Sequence, residues 1–177
     1  VIKSSPFGNA FPKSDLSLDI EDLGDIELFD KKIVPAKINV IQKITKDVIK
    51  VSLRLPPTSD LKFNSGQYVN LIRGKIKRSY SVANAYESKK ALEFFIKNYE
   101  GGEMSQYWFN EARENDLLRI EGPLGSFFLR ESPKQNIVFL ATGTGIAPVK
   151  AILENIAKAK KEFSHKKFWL FFGAKTI

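Results

Sequence analysis

The hydrophobic period changes once along this chain of 177 residues, near Pro133. Between Ala36 and that point, apolar and polar residues alternate in short runs bounded by Gly, Pro and Asn, which is typical of antiparallel β-strands. Beyond it, a continuous apolar run over 137–141, an amphipathic stretch over 147–159 and a second apolar run over 168–172 indicate a βαβ unit. The sequence therefore predicts a mainly β protein that continues into a partial α/β domain.

Six short strands and one helix are predicted before Pro133, a set that favours a closed antiparallel barrel with one capping helix. The first strand is predicted to begin at Ala36. Its period of two places three residues on one face: Ile38, Val40 and Gln42. The helix is predicted over 103–112, and the segment over 122–125 is predicted to be a turn.

Composition divides the chain into three predicted parts. Residues 1–34 show no sustained hydrophobic period and contain an acidic run from Asp19 to Asp30, so we interpret them as an extended arm or linker. Residues 35–132 form the predicted barrel, and residues 133–177 form the partial α/β domain. Because two parallel strands and one helix cannot cover both faces of an open sheet, we expect this chain to be a fragment of a longer protein.

Composition also excludes several kinds of functional site. The chain has no cysteine, which excludes disulfides, thiolate-bound metals and an iron-sulfur cluster held within it. With the single histidine His165, neither a zinc site nor a Ser-His-Asp triad is expected. No apolar run has the length of a membrane span and no signal-peptide pattern begins the chain, so a cytoplasmic setting is expected.

The formal net charge of +8 predicts attraction to an anionic partner. Nucleotides, an acidic protein and nucleic acid all have the required sign of charge. Much of the positive charge lies in lysines over 158–161 and 166–167, which are also typical of a solvated helix end and loop.

The most informative stretch of the chain contains Arg78, Ser79, Tyr80 and Ser81. An arginine offers a planar fork to phosphate oxygens, a tyrosine offers a stacking face, and a serine offers a short hydrogen bond to a ring heteroatom. Strand alternation puts Arg78 and Tyr80 on one side and the two serines on the other. These residues suit a flat, phosphate-bearing cofactor, although the exposed edge of a barrel can carry the same residues for solubility.

Two glycine-rich turns add candidate anion sites. Gly101 and Gly102 precede the predicted helix, where free amide groups attract phosphate; a plain strand-to-helix turn is the alternative. Gly143 and Gly145 open the βαβ unit, and turns of this kind bind a diphosphate through backbone amides. A second anion site beside the Arg78 strand suits a cofactor that carries more than one phosphate.

In this order, the Arg-Ser-Tyr-Ser strand, the Gly-Gly-Glu-Met-Ser helix start and the Gly-Thr-Gly-Ile-Ala-Pro turn resemble the ferredoxin-NADP reductase family of flavoproteins. The resemblance covers residues 35–177. Within the family, the chain is most similar to the CDP-6-deoxy-glucoseen reductases, which serve deoxysugar synthesis for bacterial surface polysaccharide. These are in turn similar to the reductase components of aromatic-ring oxygenases. The narrower resemblance is carried by segments 107–112, 114–119, 122–130 and 147–151.

The resemblance implies a role for each matched residue. Arg78 holds the FAD diphosphate, Tyr80 stacks on the flavin, and Ser81 hydrogen-bonds the ring nitrogen that accepts hydride. Thr144 lies between flavin and nicotinamide and, with Tyr80 and Ser81, completes the predicted catalytic set. The remaining predicted cofactor-binding and nucleotide-binding residues are Ser79, Ile96, Lys97, Gly101, Gly102, Met104, Ser105, Gly143, Gly145, Ala147 and Pro148.

By the same resemblance, the expected activity is FAD-dependent electron transfer from NADH or NADPH to an iron-sulfur centre, in deoxysugar synthesis or as the reductase component of an oxygenase. The resemblance does not distinguish the two nucleotides. A plant-type 2Fe-2S cluster is expected on a missing ferredoxin-like domain before the barrel or on a separate acidic iron-sulfur protein. A fragment that binds flavin without turnover is a further alternative.

An alternative of another class is a binding module for single-stranded nucleic acid. A basic six-stranded barrel can bind single strands on a face with stacking aromatic rings, here Phe94, Phe95 and Tyr99. We favour the flavoprotein, with neither nucleic acid nor a membrane as its partner, because these rings are more simply barrel core and surroundings of the flavin.

Overall fold

The computed structural model describes residues 27–87 and 91–174. Helix α1 (Glu103–Gln106) continues as a π-helical turn over Tyr107–Glu111, so the predicted helix over 103–112 is present with wider turns in its second half. Five strands precede this helix and one follows it: β1 (Lys32–Lys43), β2 (Val48–Arg54), β3 (Tyr68–Arg73), β4 (Ile76–Ser81), β5 (Leu92–Lys97) and β6 (Leu117–Leu124).

The six strands follow the order β4-β3-β6-β1-β2-β5 and wrap around one hydrophobic core. Every neighbouring pair in this order is antiparallel. No ladder joins β4 to β5 within the described ranges. Instead, the Ala83 amide just after β4 donates a hydrogen bond of 2.8 Å to the Glu93 carbonyl oxygen on β5. The predicted six-stranded antiparallel barrel is confirmed as a curled sheet, but it is not closed by a ladder, and a seam separates its two edge strands.

Alternating burial along β2 and β5 builds the core of the barrel. Val51, Leu53 and Phe94 are fully buried, as the period of two predicts. Burying each such side chain contributes about 1.5–3 kcal/mol relative to leaving it exposed. The alternate side chains Phe95 and Lys97 on β5 consequently point away from the core, towards the seam.

The first strand differs from the prediction in two ways. β1 begins at Lys32 rather than Ala36, because its first residues already pair with β6. A register shift between Ile38 and Val40 then changes which side chains point inward: Ile38 is buried, whereas Val40 is exposed. The predicted common face of Ile38, Val40 and Gln42 is therefore wrong, since a β-bulge inserts one extra residue between the first two.

The predicted turn over 122–125 is largely the end of strand β6. The Gly122–Pro123 peptide bond within that strand is cis. A side-chain carbon on Gly122 would lie 2.6 Å from Cγ1 of Val69 on β3, so a larger residue would force the two strands apart. The prediction failed because this glycine serves close strand packing.

The second unit is the predicted βαβ arrangement. Strand β7 (Asn136–Thr142) leads through a 3-10 turn (Gly143–Gly145) into helix α2 (Ile146–Lys158), and strand β8 (Lys167–Gly173) runs parallel to β7. Helix α2 packs on one face of these strands around a small core that contains Phe139, Val149, Ile152 and Ile156. The predicted partial α/β domain is confirmed.

One face of the β7-β8 pair remains open to solvent. Its cross-strand neighbours are each more than half exposed: Val138, Leu140, Trp169 and Phe171. The prediction that both strands are continuously buried is wrong. One helix covers one side of the strands, and on that side Leu170 and Phe172 of β8 are themselves about half exposed.

No helix within the described ranges is long and apolar enough to cross a membrane. Most of the predicted arm over 1–34, including most of its acidic run, lies outside the described residues. The three-part division of the chain stays a prediction.

Candidate functional site

A cavity of about 440 Å³ lies along the seam between β4 and β5. Four segments distant in sequence line it, and the fold brings them together. They are residues 78–81 on β4; Phe95, Lys97 and Tyr99 on β5 and the loop after it; Gly102, Met104 and Ser105 at the start of α1; and Thr144, Gly145 and Ala147 before and within α2.

Arg78 brings a positive charge to the first wall of this cavity. Its guanidinium is exposed and donates a hydrogen bond of 2.9 Å to the neighbouring Lys77 carbonyl oxygen. No carboxylate pairs with it in the part of the chain that the structure describes. Since a guanidinium with free N–H groups binds phosphate oxygens in pairs, this position suits a phosphate.

Tyr80 lies half-buried in the same wall and packs against the barrel core. Burial raises the pKa of its hydroxyl, and the neighbouring Trp108 indole and Arg78 charge oppose the rise. Tyr80 therefore stays neutral near pH 7 and offers an uncharged aromatic face to a cofactor.

Three serines line the cavity, and the partners of their hydroxyl groups differ. Ser79 Oγ donates to Asn70 Oδ1 at 2.7 Å, and Ser105 Oγ accepts the Tyr99 amide at 3.0 Å. The Ser81 hydroxyl makes no hydrogen bond to any residue in the described ranges. Of the three, Ser81 is therefore the hydroxyl most available to a ligand, in agreement with its predicted role.

The turn before α1 brings a glycine, Gly102, into the cavity wall. Gly101 has a φ of +73°, which favours glycine, and Gly102 begins α1 without a capping side chain. A side-chain carbon on Gly102 would lie 3.2 Å from both Ser105 Oγ and the Tyr99 carbonyl oxygen, which is a tight contact. Gly101 shapes the turn, whereas Gly102 lines the cavity.

Four predicted site residues are not among those that line the cavity. Ile96 is 1% exposed and points into the barrel core, so only its backbone could reach a cofactor. Gly101 and Gly143 have positive φ angles and shape the two turns. Pro148 lies in the first turn of α2. Their roles stay predictions.

Phe95 and Tyr99 line the cavity, although neither is in the predicted cofactor set. The signal that could have found Phe95 is the alternation of β5, which places it on the same side as Lys97. The nucleic-acid alternative grouped these two rings with Phe94, which is fully buried. The three rings therefore do not form one stacking surface, and that alternative loses its structural basis.

The lining residues fit a flat cofactor that carries a diphosphate. Arg78 and Lys97 supply positive charge, Ser81 supplies a hydroxyl, and Tyr80 supplies an aromatic face. No acidic side chain is among the described residues that line the cavity. Lys97 Nζ lies 3.9 Å from Asp47 Oδ2, whereas Arg78 has no acidic partner among the described residues. Because such unpaired positive charge in a cleft attracts anions, the cavity is electrostatically suited to FAD.

Two family models match the chain. The model described as "Oxidoreductase FAD-binding domain" matches residues 35–129, and the model described as "Oxidoreductase NAD-binding domain" matches residues 139–177. The predictions of FAD and of a nicotinamide nucleotide as cofactors are thereby confirmed. Which residues bind each cofactor stays a prediction.

Similar proteins include two curated bacterial relatives and a solved structure. Protein RfbI of Salmonella typhimurium is 41% identical over 162 residues, which cover 92% of this chain and 48% of the relative. CDP-6-deoxy-L-threo-D-glycero-4-hexulose-3-dehydrase reductase of Yersinia pestis is 40% identical over 157 residues, which cover 89% of this chain and 47% of the relative. The solved structure, ferredoxin reductase in carbazole 1,9a-dioxygenase, matches with a TM-score of 0.73 and 25% identity over 85% of this chain and 45% of that one. The chain spans about half the length of the curated relatives it matches.

Proposed function

Because the chain belongs to the ferredoxin-NADP reductase family of FAD- and NAD-binding oxidoreductases, we propose that the whole protein takes hydride from a nicotinamide nucleotide and passes single electrons to an iron-sulfur centre. The observation that carries this proposal is the position of the cavity. Residues of the barrel and residues of the turn before α2 line the same cavity. A nucleotide held at that turn would therefore reach a flavin held by β4.

FAD, when bound, supplies the redox chemistry, and the residues of this chain supply position and electrostatics. We assign the diphosphate to Arg78, with the start of α1 at Gly102, Met104 and Ser105 as a second contact. Tyr80 would stack on the ring system. The Ser81 hydroxyl would form a hydrogen bond with the ring nitrogen that accepts hydride, which fits its lack of a partner among the described residues.

We assign Thr144 to the place between the flavin and the nicotinamide. It lies in the 3-10 turn between β7 and α2 and lines the cavity together with Gly145 and Ala147. In that place its side chain would exclude water from the space between the two rings.

The setting that we favour is deoxysugar synthesis. This setting is supported by the Yersinia pestis relative, whose alignment covers 89% of this chain. Its name describes a reductase for a CDP-6-deoxy-hexulose dehydrase. The alternative is the reductase component of an oxygenase, supported by the similarity to the carbazole dioxygenase reductase. In either setting, the net charge of +8 suits an acidic iron-sulfur domain or protein as electron acceptor.

Cofactor identity provides the first test. Protein freed of flavin should bind FAD more tightly than FMN, and flavin released by heat from the purified protein should be FAD. Recovery of FMN alone would contradict the assignment, and no binding of either flavin would overturn the proposed function. The acceptor is tested next, by comparing electron delivery to a CDP-6-deoxy-hexulose dehydrase with delivery to an oxygenase component.

A further inference from the structure

A line of hydrogen bonds runs from the cavity wall across three neighbouring strands. Ser79 on β4 lies opposite Asn70 on β3, and Asn70 lies opposite Glu121 on β6. The Ser79 hydroxyl donates to Asn70 Oδ1 at 2.7 Å, and Asn70 Nδ2 donates to Glu121 Oε2 at 2.8 Å. These three residues are called the polar ladder below.

The far end of the polar ladder is a carboxylate that stays ionised. Glu121 is 7% exposed, pairs with Lys77, and lies 3.5 Å from the Nζ atom of Lys31. Hydrogen bonds from Lys77 and Asn70 lower the pKa of Glu121 from 4.5 to about 2. Near neutral pH its oxygens can therefore accept hydrogen bonds but cannot donate them.

This carboxylate sets the direction of each hydrogen bond in the ladder. Because Glu121 has no proton to donate, Asn70 must turn its Nδ2 towards Glu121 and its Oδ1 towards Ser79. The amide oxygen has no proton either, so the Ser79 hydroxyl donates its own proton to Asn70. Ser79 lines the cavity, so its hydroxyl offers a bound ligand oxygen lone pairs and no hydrogen-bond donor.

We propose that the polar ladder makes Ser79 an acceptor-only contact in the FAD site, one that binds a hydroxyl or N–H group of the cofactor and disfavours a phosphate oxygen. This inference rests on the proposed function and deepens it. The adjacent Arg78 attracts phosphate, so two neighbouring residues of β4 select different parts of one cofactor. Asn70 and Glu121 are positioning residues, because they act through the direction of the Ser79 hydroxyl.

The test uses the full chain, freed of flavin, and two ligands. The dissociation constant for FAD is measured by flavin fluorescence, and inorganic pyrophosphate is used as the competitor. In Glu121→Gln, the side chain at 121 can donate, so Asn70 can turn over and release the Ser79 hydroxyl as a donor. FAD binding should weaken about three- to tenfold, and pyrophosphate binding should tighten about threefold.

Two matched variants separate this effect from the loss of a charge. In Asn70→Asp/Glu121→Gln, residue 70 again accepts from Ser79 and residue 121 donates to it, with the net charge of the parent. Both binding constants should return to within about twofold of the parent values. In Ser79→Ala, FAD should bind about three- to tenfold more weakly with no loss of pyrophosphate binding, and adding Glu121→Gln should change neither constant further.

Several results would overturn the inference. Tighter pyrophosphate binding in Glu121→Gln that persists alongside Ser79→Ala would show a simple charge effect. An unchanged FAD dissociation constant in Ser79→Ala, whose side chain is exposed and whose loss should not prevent folding, would exclude the contact even if changes at Glu121 unfold the protein. If the parent binds no FAD, the proposed function itself fails. If the parent binds FAD and these variants match it, only the ladder fails.

Discussion

The ammonium group of Lys150 donates a hydrogen bond of 2.9 Å to the carbonyl oxygen of Ala83. Lys150 lies on α2 of the second unit, and Ala83 lies directly after β4 of the barrel. Lys150 Nζ also lies 3.3 Å from Glu93 on β5 and forms an ion pair with Glu154, whose second oxygen accepts the Ala85 amide at 3.0 Å. These bonds join α2 to both edges of the seam, and so hold the Thr144 turn against the cavity.

Replacing Lys150 with Met should lower the free energy of unfolding by about 1–2 kcal/mol. Hydrogen bonds to charged groups contribute about 1.5–3 kcal/mol, and solvent screening reduces that value for a side chain that is 34% exposed. Urea unfolding followed by tryptophan fluorescence measures the loss. The control is Lys160→Met, in the exposed turn after α2. Equal losses in the two variants would show that Lys150 does not join the two units.

Replacing Arg78 with Ala should weaken FAD binding about 10- to 150-fold, since the change removes a charge-assisted contact of about 1.5–3 kcal/mol. Titration of flavin-free protein with FAD measures this. Arg119→Ala is the matched control, because Arg119 is an exposed arginine on β6 that does not line the cavity. A similar loss in both variants would indicate a general effect of net charge.

Replacing Ser81 with Ala should leave the protein yellow but slow the reduction of its bound FAD by about tenfold. The reason is that the Ser81 hydroxyl is assigned to the reacting ring, where one hydrogen bond has most effect on the hydride step. Anaerobic stopped-flow reduction with excess NADH or NADPH gives the rate. Ser126→Ala, an exposed serine outside the cavity lining, is the control. Reduction of Ser81→Ala at the parent rate would remove this role.

Glu121 should make the protein sensitive to acid. Its pKa is about 2 in the folded protein and 4.5 ordinarily, so its stabilising contribution is complete above pH 4.5 and is lost as the pH falls towards 2. The difference in unfolding free energy between the parent and Glu121→Gln should shrink over that window. Unfolding by urea at a series of pH values measures it. The exposed Glu114→Gln serves as control, and a difference that stays constant through the window would contradict the shift.

Replacing Gly66 with Ala should cost about 3 kcal/mol or more of stability, because strained backbone and a severe overlap add together. Gly66 has a φ of +108°, and a side-chain carbon there would lie 2.3 Å from the Phe127 carbonyl oxygen and 3.0 Å from Cδ1 of Ile152 on α2. Gly74 has a φ of +58° with open space around it. Gly74→Ala should therefore cost only about 1 kcal/mol. Comparable thermal unfolding midpoints for the two variants would contradict the close packing at Gly66.

Local sequence patterns were sufficient to predict those features that depend on a single residue type or on a short hydrophobic period. The alternation of apolar and polar residues after Ala36 predicted antiparallel strands, because successive side chains of a strand point in opposite directions. The chemistry of Arg78, Tyr80 and Ser81 predicted a flat, phosphate-bearing cofactor before their surroundings were known. The period change near Pro133 likewise predicted the βαβ unit.

Patterns failed where the deciding contact comes from a distant part of the chain. The bulge after Ile38 depends on how β1 aligns with β2. The residue pattern of β1 alone is compatible with a bulged strand and with a regular one. The sequence around Gly122 predicts a turn, because nothing near Gly122 in the sequence indicates that Val69, more than fifty positions earlier, packs closely against it. The open face of β7 and β8 depends on which elements cover it.

The sequence by itself determined the kinds of elements, their order and the residue types offered to a cofactor, since these follow from local periodicity and side-chain chemistry. Only the tertiary structure decided what each polar group at the site can do. Strand register places Ser79, Asn70 and Glu121 side by side, so the Ser79 hydroxyl donates its proton to Asn70. The Ser81 hydroxyl has no partner among the described residues and stays available to a ligand. The physical reason is that a hydroxyl donates or accepts according to its neighbours in space, and those neighbours lie on strands far apart in the chain.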